Sequence, residues 1–227
     1  MAQELIELQG VTKTYKVGDE TLHALNEVSF TVKAGEFVAI TGPSGSGKST
    51  LANIIGGLDT PEAGTVFVDG EDLSKVSDKK LSEYRNKHIG FVFQSFNLQP
   101  SYNAVENVML PLVFGHTGTK ERKERAITCL KAVGLGDRLW HLPNQLSGGQ
   151  RQRVSIARAL ANEPSIIIAD EPTGNLDSNR GDEIIELLKD LNKKGITLII
   201  ITHDPNIAKQ ADRIVTIHDG KMTERSN

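Results

Sequence analysis

The sequence has a single cysteine in 227 residues, Cys129, so no intramolecular disulfide can form. Its place in an apolar helical pattern marks a packed thiol, and the scarcity agrees with a reducing compartment. Long hydrophobic runs are also missing. The longest, such as Ile196–Ile201, fall far short of the roughly 18 residues that suggest a membrane span. The opening Met-Ala-Gln-Glu-Leu-Ile-Glu-Leu lacks a basic region followed by an apolar stretch. No secretory signal is therefore visible, the chain is expected in the cytoplasm, and any membrane must be supplied by another chain. There is no excess of positive charge either. With 26 basic against 29 acidic residues the formal charge is -3. No overall positive field gathers phosphate backbones, and nucleic acid is not an expected partner.

What remains is an ordinary globular composition, 38% hydrophobic and 24% charged, without internal repeats or low-complexity segments. The length suits one large domain or a core with an inserted lobe. The first third reads as short strands: Leu5–Leu8, Glu27–Val32, Phe37–Thr41 and Thr65–Val68, with turns at Ala34-Gly35 and Asp69-Gly70. From about Gly118 the pattern becomes helical. Thr119 is the expected N-cap, Ala126, Ile127, Leu130 and Val133 share a face, Gly134 ends the helix, and Lys120–Arg125 form a solvated side. Residues 96–160 are expected to form a helical lobe inserted in an α/β core. Strand Ile166–Ala169, an amphipathic helix through Ile184, Ile185, Leu187, Leu188 and Leu191, and strand Ile196–Thr202 then imply parallel strands buried on both faces. Two short strands around Asp219-Gly220 and a polar tail, Thr223–Asn227, close the chain.

The segment Gly42-Pro43-Ser44-Gly45-Ser46-Gly47-Lys48-Ser49 fits G-x-x-x-x-G-K-[ST], follows an apolar strand and leads through Thr50 into a helix. Glycines let the backbone curl so that successive N–H groups point inward around phosphates, and the helix N-terminus adds partial positive charge. Lys48 is expected on the β- and γ-phosphates of ATP, and Ser49 on Mg2+. A Gly/Ser-rich surface turn would lack the flanking strand and helix.

Asp170 and Glu171 end a buried strand, on the edge where open α/β sheets bind ligands. Asp170 suits the Mg2+ shell, and Glu171 suits the general base for water attacking the γ-phosphate. His203 follows the next apolar strand and should lie beside Glu171. Read alone, it is equally a surface histidine, and Gln94 after Gly90-Phe-Val-Phe is equally a polar loop residue. A second glycine-rich helix start, Leu146-Ser147-Gly148-Gly149-Gln150, carries capping-box spacing between Ser147 and Gln150. One ATP does not need two such anion-binding surfaces in one subunit, whereas two subunits arranged head to tail would use both.

With these motifs together, the chain resembles a nucleotide-binding domain of the ATP-binding cassette family over nearly its whole length. The resemblance implies an α/β fold. It has a P-loop NTPase core with a mainly parallel sheet, an N-terminal antiparallel β subdomain, and an inserted helical subdomain carrying the signature motif. One domain, 1–227, would divide into a core of 1–95 and 161–227 and a helical part of 96–160. Gly42–Ser49 corresponds to Walker A, Ile166–Glu171 to Walker B, and Leu146–Gln150 to the signature that contacts ATP held by the partner subunit. Gln94 corresponds to the Q-loop, touching Mg2+ and the attacking water, Asn175-Leu-Asp177 to the D-loop, and His203 to the switch histidine. Tyr15 sits where family members stack an aromatic ring on adenine, although a core or surface tyrosine fits too, and Asp177 also suits an N-cap.

The implied catalytic set is Glu171, His203, Lys48 and Gln94, with Ser49, Gln94 and Asp170 toward Mg2+. The implied partners are a second copy of the chain and a separate integral-membrane permease that would hold it on the inner face of the membrane. Glu-Pro-Thr-Gly-Asn-Leu-Asp, Val92-Phe-Gln-Ser-Phe-Asn-Leu and Glu106-Asn-Val-Met-Leu-Pro-Leu resemble the branch with the lipoprotein-releasing LolD and macrolide-exporting MacB ATPases. Gln99 departs from the apolar residue of that branch before Pro100. The other role such a cassette could serve is ATP-driven signalling through a permease-like partner without transport.

Overall fold

The computed structural model describes residues 4–18, 20–115 and 117–225. Apolar and polar residues alternate near the N-terminus, which buries one side of each strand. β1 (Glu4–Val17) and β2 (Glu20–Lys33) pair as a long antiparallel hairpin, and β4 (Ala63–Val68) and β5 (Glu71–Asp72) extend it in the order β2-β1-β4-β5. The strands expected at Leu5–Leu8 and Glu27–Val32 are thus parts of 14-residue strands. Register shifts between Leu8 and Val11, and again up to Thr14, interrupt the alternation and hide the continuity.

The second sheet is mainly parallel. β3 (Phe37–Thr41), β6 (Ile89–Phe93), β7 (Ile166–Asp170), β8 (Thr197–Ile201) and β9 (Arg213–His218) run parallel, and β10 (Lys221–Arg225) returns antiparallel to β9. Their order is β10-β9-β3-β8-β7-β6. Thr223 lies inside β10, so the expected polar tail begins too early, and residues 226 and 227 lie outside the described residues. Alternate residues of each inner strand enter different cores. Ile167, Ala169, Leu198 and Ile200 join one with α3 (Ala104–Phe114), α4 (Thr119–Ala132), α5 (Gly148–Leu160) and α6 (Ser178–Lys193). Ile166, Ile168, Ile199 and Ile201 join another with α1 (Lys48–Ile55) and the antiparallel sheet. Covered on both faces, the sheet presents only its ends to ligands.

α6 buries Ile184, Ile185, Leu188 and Leu191, and Asp177 caps it by accepting from the Arg180 N–H at 3.1 Å. α4 has Gly118 as its N-cap and Thr119 in its first turn, so it starts one residue earlier than the expected Thr119 cap. α2 (Asp78–His88) was not anticipated, because only Leu81 and Tyr84 of its eleven residues are buried. A four-residue α7 (Pro205–Ala208) follows β8. Arg213 of β9 donates to the Thr31 carbonyl of β2, and a second tie between the two sheets passes through the Gly42–Gly47 loop. The Asn26 N–H donates to the Gly220 carbonyl at 2.9 Å, and the Gly220 N–H donates to the Ser46 carbonyl at 3.0 Å.

Candidate functional site

The loop Gly42–Gly47 leaves β3 and enters α1 through three glycines with positive φ: Gly42 at 144°, Gly45 at 77° and Gly47 at 110°. At two of them the backbone also leaves no room. A Cβ on Gly42 would lie 2.1 Å from the Ile217 carbonyl oxygen, and one on Gly47 the same distance from that of Ala24. Gly47 is the N-cap of α1, no side chain caps that helix, and its first turn holds no acidic residue. The loop therefore ends on uncapped helix N–H groups, which suits an anion. Lys48 Nζ donates to the carbonyls of Gly42 at 2.9 Å and Pro43 at 2.7 Å. Ser46 is buried, with its Oγ unpartnered among the described residues.

Beside this loop lies a cleft of about 410 Å³ walled by Ser44, Lys48, Ser49, Gln94, Asp170 and Glu171. The topology brings these residues together because β3, β8 and β7 are adjacent and parallel, so their C-terminal ends share one edge. Ser49 Oγ donates to Asp170 Oδ2 at 3.3 Å. Burial pushes the Asp170 pKa up; the Ser49 hydrogen bond opposes this, the Glu171 charge adds to it, and the Lys48 charge opposes it. The oxygen donors of Ser49, Asp170 and Gln94 suit a hard cation such as Mg2+, which binds through few carboxylates together with waters and phosphate oxygens. Among the described residues no group of three or more His, Cys, Asp or Glu is placed to hold a metal.

Glu171 stands just past β7 with φ at 45°, a left-handed conformation that costs a non-glycine residue energy. Its Oε1 accepts from the His203 N–H at 3.1 Å and lies 2.7 Å from His203 Nδ1. The hydrogen bond to Glu171, and next its charge, raise the His203 pKa above its ordinary value. The Gln94 side chain lies against Gly174, where a Cβ would approach its Nε2 to 2.6 Å.

A smaller cleft of about 200 Å³ flanks the other side of the loop, walled by Tyr15, Leu22, Gly47 and Thr50. The Tyr15 hydroxyl donates to Asp59 Oδ2 at 2.9 Å, and Lys13 Nζ pairs with Asp59 Oδ1 at 2.6 Å. Burial raises the Tyr15 pKa, and the hydrogen bond to Asp59 adds to it. Burial opposes ionisation of Asp59, but the Lys13 and Tyr15 hydrogen bonds outweigh it and hold the carboxyl below its usual range. The Tyr15 ring is thereby fixed at the mouth of this cleft.

Ser147–Gln150 line neither cleft. Ser147 Oγ accepts from the Gln150 N–H at 3.3 Å, and Gln150 Oε1 accepts from the Ser147 N–H at 2.9 Å. Gly148 and Gly149 lack positive φ. A Cβ on Gly149 would meet only Arg180 side-chain carbons, at 3.5 Å or more, and one on Gly148 the tip of Leu176 at 3.1 Å. The fold of this chain does not require glycine at either position.

Two residues passed over as functional candidates in the sequence, Gln152 and Arg158, reach this region, and Asn175 of the expected D-loop joins them. Asn175 Nδ2 donates to the Gln94 carbonyl at 2.9 Å. Gln152 is completely buried, and its Nε2 donates to the Pro172 carbonyl, one residue past Glu171, at 2.6 Å. A long polar side chain among the buried positions of α5 was the available signal.

A family model described as ABC transporter matches residues 25–174. The chain is 50% identical over 223 residues to an uncharacterized ABC transporter ATP-binding protein, YknY of Bacillus subtilis, covering 98% of this chain and 97% of that protein. It is also 50% identical over 218 residues to the macrolide export ATP-binding/permease protein MacB 1 of Yersinia pestis bv. Antiqua, covering 96% of itself but 34% of that longer protein. Its structure matches the ATP-binding cassette MJ0796 of Methanocaldococcus jannaschii, in a dimeric post-hydrolysis state bound to ADP and Pi. The TM-score is 0.90 at 50% identity, with 98% of both chains covered.

Proposed function

The chain belongs to the ABC transporter family, as an ATPase of the ATP-binding cassette type, and on that premise we propose that two copies enclose two MgATP to drive a separate membrane permease. Each nucleotide is gripped by Gly42–Ser49 of one copy and Leu146–Gln150 of the other. The observation that carries this reading is that the second glycine-rich helix start lies outside the phosphate cleft, with glycines its own fold does not need. Gly149 is buried against Arg180, whereas the half-exposed Gly148 leaves backbone there open to the approach of a ligand held by another molecule. The dimeric MJ0796 cassette supports the arrangement.

In this site Lys48 exchanges the Gly42 and Pro43 carbonyls for β- and γ-phosphate oxygens, and Ser44 to Thr50 supply the surrounding loop and helix N–H groups. Ser49, Asp170 and Gln94 would hold Mg2+, which would supply positive charge against the phosphate oxygens. Glu171 accepts the proton of a water whose oxygen bonds the γ-phosphorus while the bond to the ADP oxygen breaks. His203 orients Glu171 and faces the γ-phosphate. Tyr15 stacks on adenine, and Asp177, beside the Gly148–Gln150 turn, joins the interface between copies. Residues 96–160 act as the helical part of one domain, and 1–95 with 161–227 as its core.

No described helix is long and apolar enough to cross a membrane. A permease partner would hold the chain on the inner membrane face. The similarity to MacB, named for macrolide export, favours export over signalling without transport. Glu171→Gln tests the core of the reading. It should retain ATP binding, lose about 100-fold or more in turnover, and give a dimer by light scattering only with ATP. A variant that stays monomeric with ATP at all concentrations, or turns over at the wild-type rate, refutes it.

A further inference from the structure

Gln94 sits in a short segment whose backbone is held by side chains from elsewhere. The Phe93 carbonyl accepts from Gln152 Nε2 at 3.4 Å and the Gln94 carbonyl from Asn175 Nδ2 at 2.9 Å. The carbonyls of Phe96 and Asn97 accept from the two terminal nitrogens of Arg158, at 2.9 and 2.5 Å. Phe96 and Asn97 have φ of 58° and 50°, conformations a non-glycine pair keeps only when neighbours hold them there. Arg158 supplies that restraint as a planar fork on two carbonyls, and the Arg151 guanidinium stands 5.3 Å from the Phe96 ring centroid.

Gln152 and Arg158 lie on one uninterrupted helix, α5, whose first turn is the Gly148–Gln150 surface. Gln152 also ties that helix to the residue following Glu171. The backbone on both sides of Gln94 is therefore fastened to the rod that presents Ser147–Gln150. We propose that Gln152 and Arg158 are positioning residues that set the place of the Gln94 side chain by holding its flanking backbone. This rests on the reading of Gln94 as a residue facing Mg2+ and the attacking water. Neither side chain touches nucleotide; both act through Gln94.

A double-mutant cycle in the full chain tests it. Arg158→Met and Gln152→Leu should each lower kcat by about tenfold and leave the KM for ATP within about twofold. In ATP-bound chains carrying Glu171→Gln, each should also weaken binding of Mn2+, standing in for Mg2+, read by electron paramagnetic resonance. Combined with Gln94→Ala, either variant should fall within about twofold of Gln94→Ala alone, because the two positions act through one side chain. Arg158→Lys, which reaches one carbonyl of the pair, should regain part of the loss.

Single variants with wild-type turnover and Mn2+ affinity overturn the proposal, and so do losses that multiply in the double variants. If Gln94→Ala itself behaves as wild type, the assignment of Gln94 falls and this inference with it. An impaired Gln94→Ala with multiplying losses overturns the positioning role alone. Should Arg158→Met lack a cooperative melting transition, the cycle with Gln152→Leu and the Arg158→Lys comparison decide.

Discussion

Gly42–Ser49 and Leu146–Gln150 both run into the first turn of a helix, α1 and α5, and both are rich in glycine, yet their glycines meet different demands. In the first loop they are imposed from within. At Gly42 and Gly47 positive φ angles coincide with backbone carbonyl oxygens 2.1 Å from where an added methyl would sit. The helix end is left without a side-chain cap. In the second the glycines have ordinary conformations and tolerable space, and the helix end is closed by its own capping box. A glycine explained by its own fold forms a pocket, and a glycine left unexplained by it points to something outside the molecule.

Substitutions break or sharpen this contrast. Gly47→Ala should cost the largest amount of stability, about 3 kcal/mol or more, because the Ala24 carbonyl and the φ of 110° both exclude a side chain; urea unfolding measures it. Ser147→Ala removes one cap bond and should cost about 1 kcal/mol in the same assay. Gly149→Ala should leave stability within about 0.5 kcal/mol, yet abolish the ATP-induced dimer of the Glu171→Gln variant by light scattering. A Gly149→Ala chain that unfolds like Gly47→Ala would erase the distinction.

The smallest effect lies at the edge of the first loop. The His203 pKa is raised, so its pairing with Glu171 is complete below the unfolded value and is lost as pH rises through the folded value. NMR titration without nucleotide should find the imidazole above its ordinary pKa, and Glu171→Gln should bring it down. An unshifted value in the wild-type chain contradicts the pairing.

The parallel strands and the site loops were legible in the sequence because each is encoded locally: an unbroken Ile166–Ala169 run, or glycines spaced for one turn. The length of β1 and β2 was not, since register shifts break their alternation and charged residues such as Lys13 and Lys16 crowd the far half of the hairpin. α2 escaped notice because two buried residues leave too narrow an apolar stripe. The Gln152 and Arg158 contacts were invisible for another reason. Their partners are backbone carbonyls, some 60 positions earlier in the chain for Phe93 and Phe96 and 20 later for Pro172, and a carbonyl leaves no trace in residue identity.

The phosphate loop is also the keystone between the two sheets. Gly47 is wedged under the Ala24 carbonyl of β2, Gly42 under the Ile217 carbonyl of β9, and the Ser46 carbonyl holds Gly220, which in turn holds Asn26. A force applied to this loop is shared at once by both walls of the molecule. The proposed nucleotide site is thus also a joint through which one wall feels the other, and a ligand that stiffens the loop should be felt in both.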